Sequence, residues 1–346
     1  MTMNCHGFLA KALLNNKPSI AKSVLKFKSV NVNDCFGRRQ MLDLALNHCP
    51  ECVPDIIFNP GLHINKAVGF ENATFLMSEI MCGNTYAVSL MLERPDIDVN
   101  KTDDRGRTAL FIAVHQNRFE IMSKLLEHPE IDVNIVSNDN NSVLHNVVHN
   151  SMCNPGMFNV LDRIIELDDL RSTINLQNNA GYSPMGLAIE KGNDRAIRKL
   201  LTSKFFDINA LSKQTFTFME HLLLENKIGL FKKQLDNPLF NIEMHKNIKL
   251  LLINTNDADM FEFVMDRFTD TWTFSQSEWE AVFASTRDIF NVCFERYHQV
   301  NDNVCQNLVN GLVNSRDRSW VDHVSNMDER YKAAVMTEIT LRMWCN

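Results

Sequence analysis

No run of 18 apolar residues occurs anywhere in the 346-residue chain, and Met1 to Lys17 lacks the apolar core that opens a secreted protein. A membrane-spanning or secreted protein is therefore not expected, and a cytoplasmic location follows, with the nucleus also open. Positive charge is not in excess. The net charge of −7 argues against bulk nucleic-acid binding, so no nucleic-acid partner is expected. The nine cysteines have no regular spacing, and an odd number without a secretion signal reads as free thiols in a reducing compartment. Tryptophan is missing until Trp272 and proline is missing after Pro238, so composition changes near the start of the last third. No phosphate-cradling glycine loop, no dinucleotide fingerprint and no G-x-S-x-G elbow is found. Nothing positive points to an enzyme.

What the chain does have is a core and a period. Hydrophobic residues make up 45% and charged residues 22%, enough apolar surface to fold. The phrase Leu92-Glu93-Arg94-Pro95-Asp96-Ile97-Asp98-Val99-Asn100 returns as Leu126-Glu127-His128-Pro129-Glu130-Ile131-Asp132-Val133-Asn134, 34 residues later. Thr74-Phe75-Leu76 returns as Thr108-Ala109-Leu110 at the same offset. A fixed period of this size marks a stack of small supersecondary units. With the terminal asparagine as a ruler, copies end near residues 33, 65, 100, 134, 175 and 209, and a seventh ends near 242. The long interval before Asn175 places an insertion at Ser151–Gly156.

The clearest unit runs Asp103-Asp104-Arg105-Gly106-Arg107-Thr108-Ala109-Leu110-Phe111-Ile112-Ala113, then Asn117, Leu125-Leu126 and Asp132-Val133-Asn134. Gly181-Tyr182-Ser183-Pro184-Met185 opens a second, with Ala188, Gly192, Leu200-Leu201 and Asp207-Ile208-Asn209. This pattern resembles the ankyrin repeat, D-x-x-G-x-T-P-L-H-x-A followed by a Leu-Leu pair and D-V-N. Each residue type has a physical task. Thr or Ser caps the first helix, a small Ala lets two helices approach, and Leu110, Leu125 and Leu126 form a shared core. Glycine supplies left-handed turns. Helices of about nine residues are too short to stand alone, so each must lean on its neighbours. The match has gaps: Glu79 stands where a small residue is expected, Asn72 and Asn140 stand where glycine is expected, and Lys213 to Ile242 lacks the turn chemistry.

The resemblance implies an all-α fold, an ankyrin-type helical solenoid. Residues 1–242 form the repeat array. Residues 243–346 carry helical hairpins, their second helices opened at Asp257, Asp288 and Asp317, that either continue the solenoid or form a small helical cap domain. The implied function is a non-enzymatic protein–protein interaction scaffold, an adaptor or sequestering inhibitor that holds a folded protein on its concave face. The alternative is an enzyme or effector whose active part lies in the C-terminal third. By family position, contacts would come from Asp104, Arg105, Arg107, His115 and Gln116 in one copy. The next copy offers Asn138, Asp139, Asn141, His149 and Asn150, and the one after offers Asn179, Tyr182, Glu190 and Lys191. Tyr182 and Arg107 stand out, because Tyr and Arg are enriched at binding hot spots.

His48-Cys49-Pro50-Glu51-Cys52 has half-zinc or redox spacing, but it falls between two helices and no second CxxC exists, so a variant turn is the expectation. His145 and His149 lie one helical turn apart. His145 occupies the repeat's usual histidine position, which implies a structural hydrogen bond, so neither metal nor cofactor is expected. Asn100, Asn134 and Asn209 resemble asparaginyl hydroxylase sites, although a structural role suffices for them. Charge is uneven: residues 1–40 carry a net +6 and residues 257–302 a net −7. Ordinary solvation explains this, and steering of a partner is the functional reading.

Overall fold

The computed structural model describes residues 5–27, 29–36, 39–167, 172–255 and 257–268, with Glu278 and Ala281. The expected hairpins at Asp288 and Asp317, the four tryptophans, Lys28 and Arg38 lie outside the described residues. The chain divides into two compact units, residues 1–207 with 212–214, and residues 208–211 with 215–346.

The first unit stacks six helix pairs. They are α1 (Cys5–Leu14) with α2 (Pro18–Leu25), α3 (Met41–His48) with α4 (Val53–Ile57), and α5 (Phe75–Cys82) with α6 (Thr85–Leu92). There follow α7 (Ala109–His115) with α8 (Phe119–Leu126), α9 (Val143–Ser151) with α10 (Met157–Ile165), and α11 (Pro184–Glu190) with α12 (Asp194–Leu200). The second helices pack in one continuous row from α2 to α12, and α5, α7, α9 and α11 form a parallel row of first helices. Leu110 and Leu144 are both fully buried in this shared core. A two-residue hairpin, β1 (Cys35–Phe36) antiparallel to β2 (Arg39–Gln40), precedes α3 with Cys35 opposite Gln40. No helix among the described residues is long and apolar enough to cross a membrane.

Local chemistry repeats with the period. Thr74, Thr108 and Ser183 cap α5, α7 and α11, their hydroxyls accepting the amide N–H three residues on. Left-handed residues recur in the turn before most first helices (Asn72, Gly106, Asn140, Gly181, Gln214) and between most paired helices (Asn16, Gly83, Asn117, Gly192, Asn226). Asn72 and Asn140 thus do the work of glycine, because a short amide side chain tolerates this conformation better than most. A β-carbon on Gly106 would come within 2.7 Å of the Asn138 side chain, so that position admits only glycine without a shift.

The asparagine ruler is a ladder. Asn65 Nδ2 donates to Asp96 O at 2.7 Å and its Oδ1 accepts from Asp98 N at 2.9 Å. Asn100 repeats this with Glu130 O and Asp132 N at 2.6 and 2.9 Å, and Asn175 with Phe205 O and Asp207 N at 2.9 and 3.2 Å. Asn33 binds Gly61 O and His63 N in the same way. One amide therefore clips the end of each copy to the backbone of the next. Asn134 differs: its Oδ1 accepts from the Thr173 hydroxyl at 2.9 Å, where the chain has been lengthened.

The insertion is split. From the start of α9 to the start of α10 is four residues longer than from α7 to α8, and from there to Asn175 is three longer than to Asn134. Only the first part lies where the Asn154-Pro155-Gly156 signal placed it.

The second unit contains α13 (Phe218–Leu224), α14 (Ile228–Gln234), α15 (Ile248–Asn254) and α16 (Ala258–Phe268). Phe218, Leu222, Phe231, Leu252 and Phe261 fill its core. The turn chemistry that the sequence did not reveal here is present. Thr217 and Glu220 form a reciprocal cap on α13, Asn226 is left-handed, and Asn209 binds Leu239 O and Asn241 N at 2.8 and 3.0 Å. Asp257 Oδ1 accepts Met260 N at 2.9 Å and so opens α16 as expected.

Candidate interaction surface

In the first unit the turns that precede α7, α9 and α11 project as fingers, and each is closed by one polar side chain. Asp103 Oδ1 accepts from Arg105 N and Arg107 N at 3.0 and 2.9 Å. Ser137 Oγ accepts from Asn141 N, and Asn178 Oδ1 accepts from Ala180 N and Tyr182 N. Successive fingers bond to one another: Asp104 N to Glu71 O at 2.9 Å, Asn138 N to Arg105 O at 2.9 Å and Asn179 N to Asp139 O at 3.0 Å. The side chains add Asn72 to Asp104 at 2.6 Å, Asn138 Nδ2 to Asp104 O at 2.8 Å and Asn179 Nδ2 to Asn138 O at 3.2 Å.

This lateral bonding sorts the expected contact residues. Arg107 is half-buried, held by Asp103 at 2.7 Å and Glu71 at 2.9 Å, while Arg105 also pairs with Glu71 and remains exposed. Asn141 Oδ1 accepts from Asn178 Nδ2 at 2.8 Å. Tyr182 is half-buried, with Lys213 Nζ 5.7 Å from its ring centre, and Lys213 also pairs with Glu190 at 2.6 Å. Asp139 is exposed on its finger. His115, Gln116, His149 and Lys191 are exposed at the ends of α7, α9 and α11, in line with Met81 at the end of α5, which is 39% exposed. Asn150, beside His149, donates to Val114 O at 2.9 Å. Two rows result, a fingertip row braced by its own polar groups and a helix-end row of mixed side chains.

His145 and His149 do not converge. His145 is 2% exposed, its Nδ1 accepts from Ser142 N at 3.1 Å, and its Nε2 meets the Tyr182 carbonyl at 2.9 Å. That carbonyl can only accept, so the ring is the neutral tautomer carrying hydrogen on Nε2. Burial pulls its pKa down to about 4, against the Tyr182 hydrogen bond that raises it. The histidine fastens copy to copy, as its position in the repeat implies. Glu79 is also buried. Desolvation raises its pKa, the 2.7 Å hydrogen bond from Asn84 partly offsets this, and Asp43 adds to the rise.

Arg94 was not singled out by sequence. It is 6% exposed, and its guanidinium donates to the carbonyls of Ile57, Asn59 and Leu62 and forks onto Asp96 at 2.7 and 2.6 Å. The signal was the one cationic difference between the two repeated phrases, Arg94 against His128.

Residues 41–137 match the family model for ankyrin repeats in three copies. This stretch carries ankyrin repeats. No curated protein matches the sequence significantly. Among solved structures, the ankyrin repeat domain of Bcl-3, titled a unique member of the IkappaB protein family, is similar. It shares 18% identity over 61% of this chain and 92% of that one, with a TM-score of 0.50. EF0377, an ankyrin repeat protein, shares 20% identity over 57% and 98% at a TM-score of 0.49. An ankyrin repeat domain from Acinetobacter baumannii AYE shares 18% over 56% and 96%, also at 0.49. The fold is the ankyrin fold, and ankyrin repeats are protein–protein interaction modules.

Proposed function

We propose that this protein is a non-enzymatic scaffold that binds a folded protein through the two rows of the first unit, as an adaptor or a sequestering inhibitor. The observation that carries this reading is the bracing of the surface. Ladder asparagines, finger-to-finger amide bonds and Arg94 fix neighbouring copies, so exposed side chains at equivalent positions are presented without further ordering cost. Within the expected contact set, His115, Gln116, His149 and Lys191 are the better candidates for direct contact, with Arg105, Asp139 and Asn179 beside them. Arg107 and Tyr182 act from beneath. A protein partner suits the net charge of −7 better than nucleic acid does. The free thiols of Cys35, Cys49, Cys52, Cys82 and Cys153 fit a reducing compartment, cytoplasmic or nuclear.

The test is affinity capture with the full chain, repeated with His115→Ala plus His149→Ala. The main captured protein is expected to fall at least about tenfold while far-UV circular dichroism is unchanged, since truncating central contacts typically costs more than 1 kcal/mol. Undiminished capture of that protein by the double variant contradicts the choice of surface.

A further inference from the structure

The turn between α3 and α4 is unlike the five described turns that reverse the chain with a left-handed residue, Asn16, Gly83, Asn117, Gly192 or Asn226. It has Cys49 at φ −145° followed by a tight 3-10 turn over Pro50–Cys52. The Cys52 amide donates to the Cys49 carbonyl at 3.0 Å, so the two residues lie one 3-10 turn apart on the same side, about 6 Å along its axis. Pro50 and Pro54 flank Cys52 and restrict the backbone in this shape. The sulfurs are 3.1 Å apart, both residues are fully buried, and Cys52 Sγ also faces the Pro18 carbonyl at 3.9 Å.

We propose that Cys49 and Cys52 form a reversible dithiol–disulfide site whose substrate is a small-molecule disulfide of the glutathione class. The backbone spacing suits a bridge, and the sulfurs need to close by only about 1 Å to reach a bond of about 2 Å. One thiolate attacks the small disulfide, forming a mixed disulfide and releasing one thiol. The other thiolate then attacks the protein sulfur of that mixed disulfide, closing the bridge and expelling the second small thiol. Both protein thiol protons end on the two released thiols. The protein loses two electrons and the small disulfide gains them.

Burial sets the rate. With both thiols out of water, and the Cys52 thiol pushed up to about 12 by desolvation and by Cys49, neither sulfur is a ready nucleophile in the closed stack. The reaction therefore waits on local opening of α4. Once a mixed disulfide forms, the neighbouring sulfur is already in place, so ring closure outruns a second encounter with the small disulfide.

The test incubates the reduced full chain with oxidised glutathione, alkylates the remaining thiols and maps the peptides. The expected product is a peptide holding residues 49–52 that resists alkylation, carries no glutathione and is about 2 Da lighter than the dithiol form. Dithiothreitol is expected to reverse it. Addition of about 1 M urea, which favours local opening, is expected to hasten its formation. Cys49→Ser and Cys52→Ser are each expected to abolish this product, and the wild-type peptide map needs neither variant to fold. The proposal fails if Cys49 and Cys52 remain alkylatable at a glutathione disulfide excess that has consumed Cys35, Cys82 and Cys153. It also fails if glutathione stays attached to either residue of the pair.

Discussion

Acidification should weaken this fold in part through the His145 imidazole. His145 is neutral in the stack, with Nδ1 accepting the Ser142 amide and Nε2–H donating to Tyr182 O. A proton on Nδ1 would face another N–H, inside a site with little water to solvate the charge. The folded-state pKa of about 4 lies below the unfolded value of 6.5, so the unfolded chain binds the proton first. Stability from this site is complete above pH 6.5 and drains away as pH falls toward 4. The linkage gives a loss of roughly 1 kcal/mol at pH 5.5 relative to pH 7.5, and about 3 kcal/mol at pH 4. Carboxylates titrate in the same range, so the informative quantity is the difference between wild type and His145→Gln. Glutamine keeps a donor for Tyr182 and cannot be protonated. Urea unfolding followed by far-UV circular dichroism at pH 7.5 and 5.5 should show wild type losing roughly 1 kcal/mol more than the variant across that interval. Equal losses in the two proteins would refute the assignment of a buried neutral histidine.

Arg94→Lys should destabilise by about 2–3 kcal/mol, because one ammonium cannot replace the planar fork that serves Ile57, Asn59 and Leu62, and buried carbonyls are left unpaired. A urea midpoint unchanged from wild type would show that the fork is not needed. Gly186→Ala should cost about 1–3 kcal/mol, since a β-carbon there overlaps the Ser212 carbonyl, which is backbone and cannot rotate away. Thermal unfolding checks it, and a melting temperature equal to wild type contradicts the close approach. Asn100→Ala should cost about 1–3 kcal/mol by removing both ladder bonds. Amide hydrogen exchange reads it directly: the Asp132 N–H should lose protection, and its retention would mean the ladder is not what holds it.

The short-range rules were visible in the chain. Thr74, Thr108 and Ser183 announce helix starts, Gly106 and Gly181 announce turns, and the recurrent asparagine marks the end of each copy. These are residue-by-residue requirements repeated at a fixed interval, so a sequence displays them. The reading faltered where a different residue met the same requirement. Gln214 and Asn226 take left-handed turns without looking like glycine, and Thr217 caps α13 in a stretch that carries no other signature. The second part of the insertion was missed for a related reason, since the three residues added between the start of α10 and Asn175 bring no Pro or Gly to mark them.

The candidate surface was legible as positions but not as roles. Arg107 and Arg105 differ by two places in one finger, yet the first is held between Asp103 and Glu71 and the second is exposed. The difference is Asp103, which holds the Arg107 side chain, while Glu71 of the preceding copy pairs with both arginines. Arg94 depends on the carbonyls of Ile57, Asn59 and Leu62, brought in from the preceding copy.

By itself, then, the sequence determined the unit: its length, its caps, its turns and its apolar faces, because these follow from interactions within a few residues along the chain. Only the tertiary structure decided which polar groups stay exposed and which face the next copy. Those choices are made between residues about thirty positions apart, where the stacking of one helix pair on another creates neighbours that no local pattern encodes.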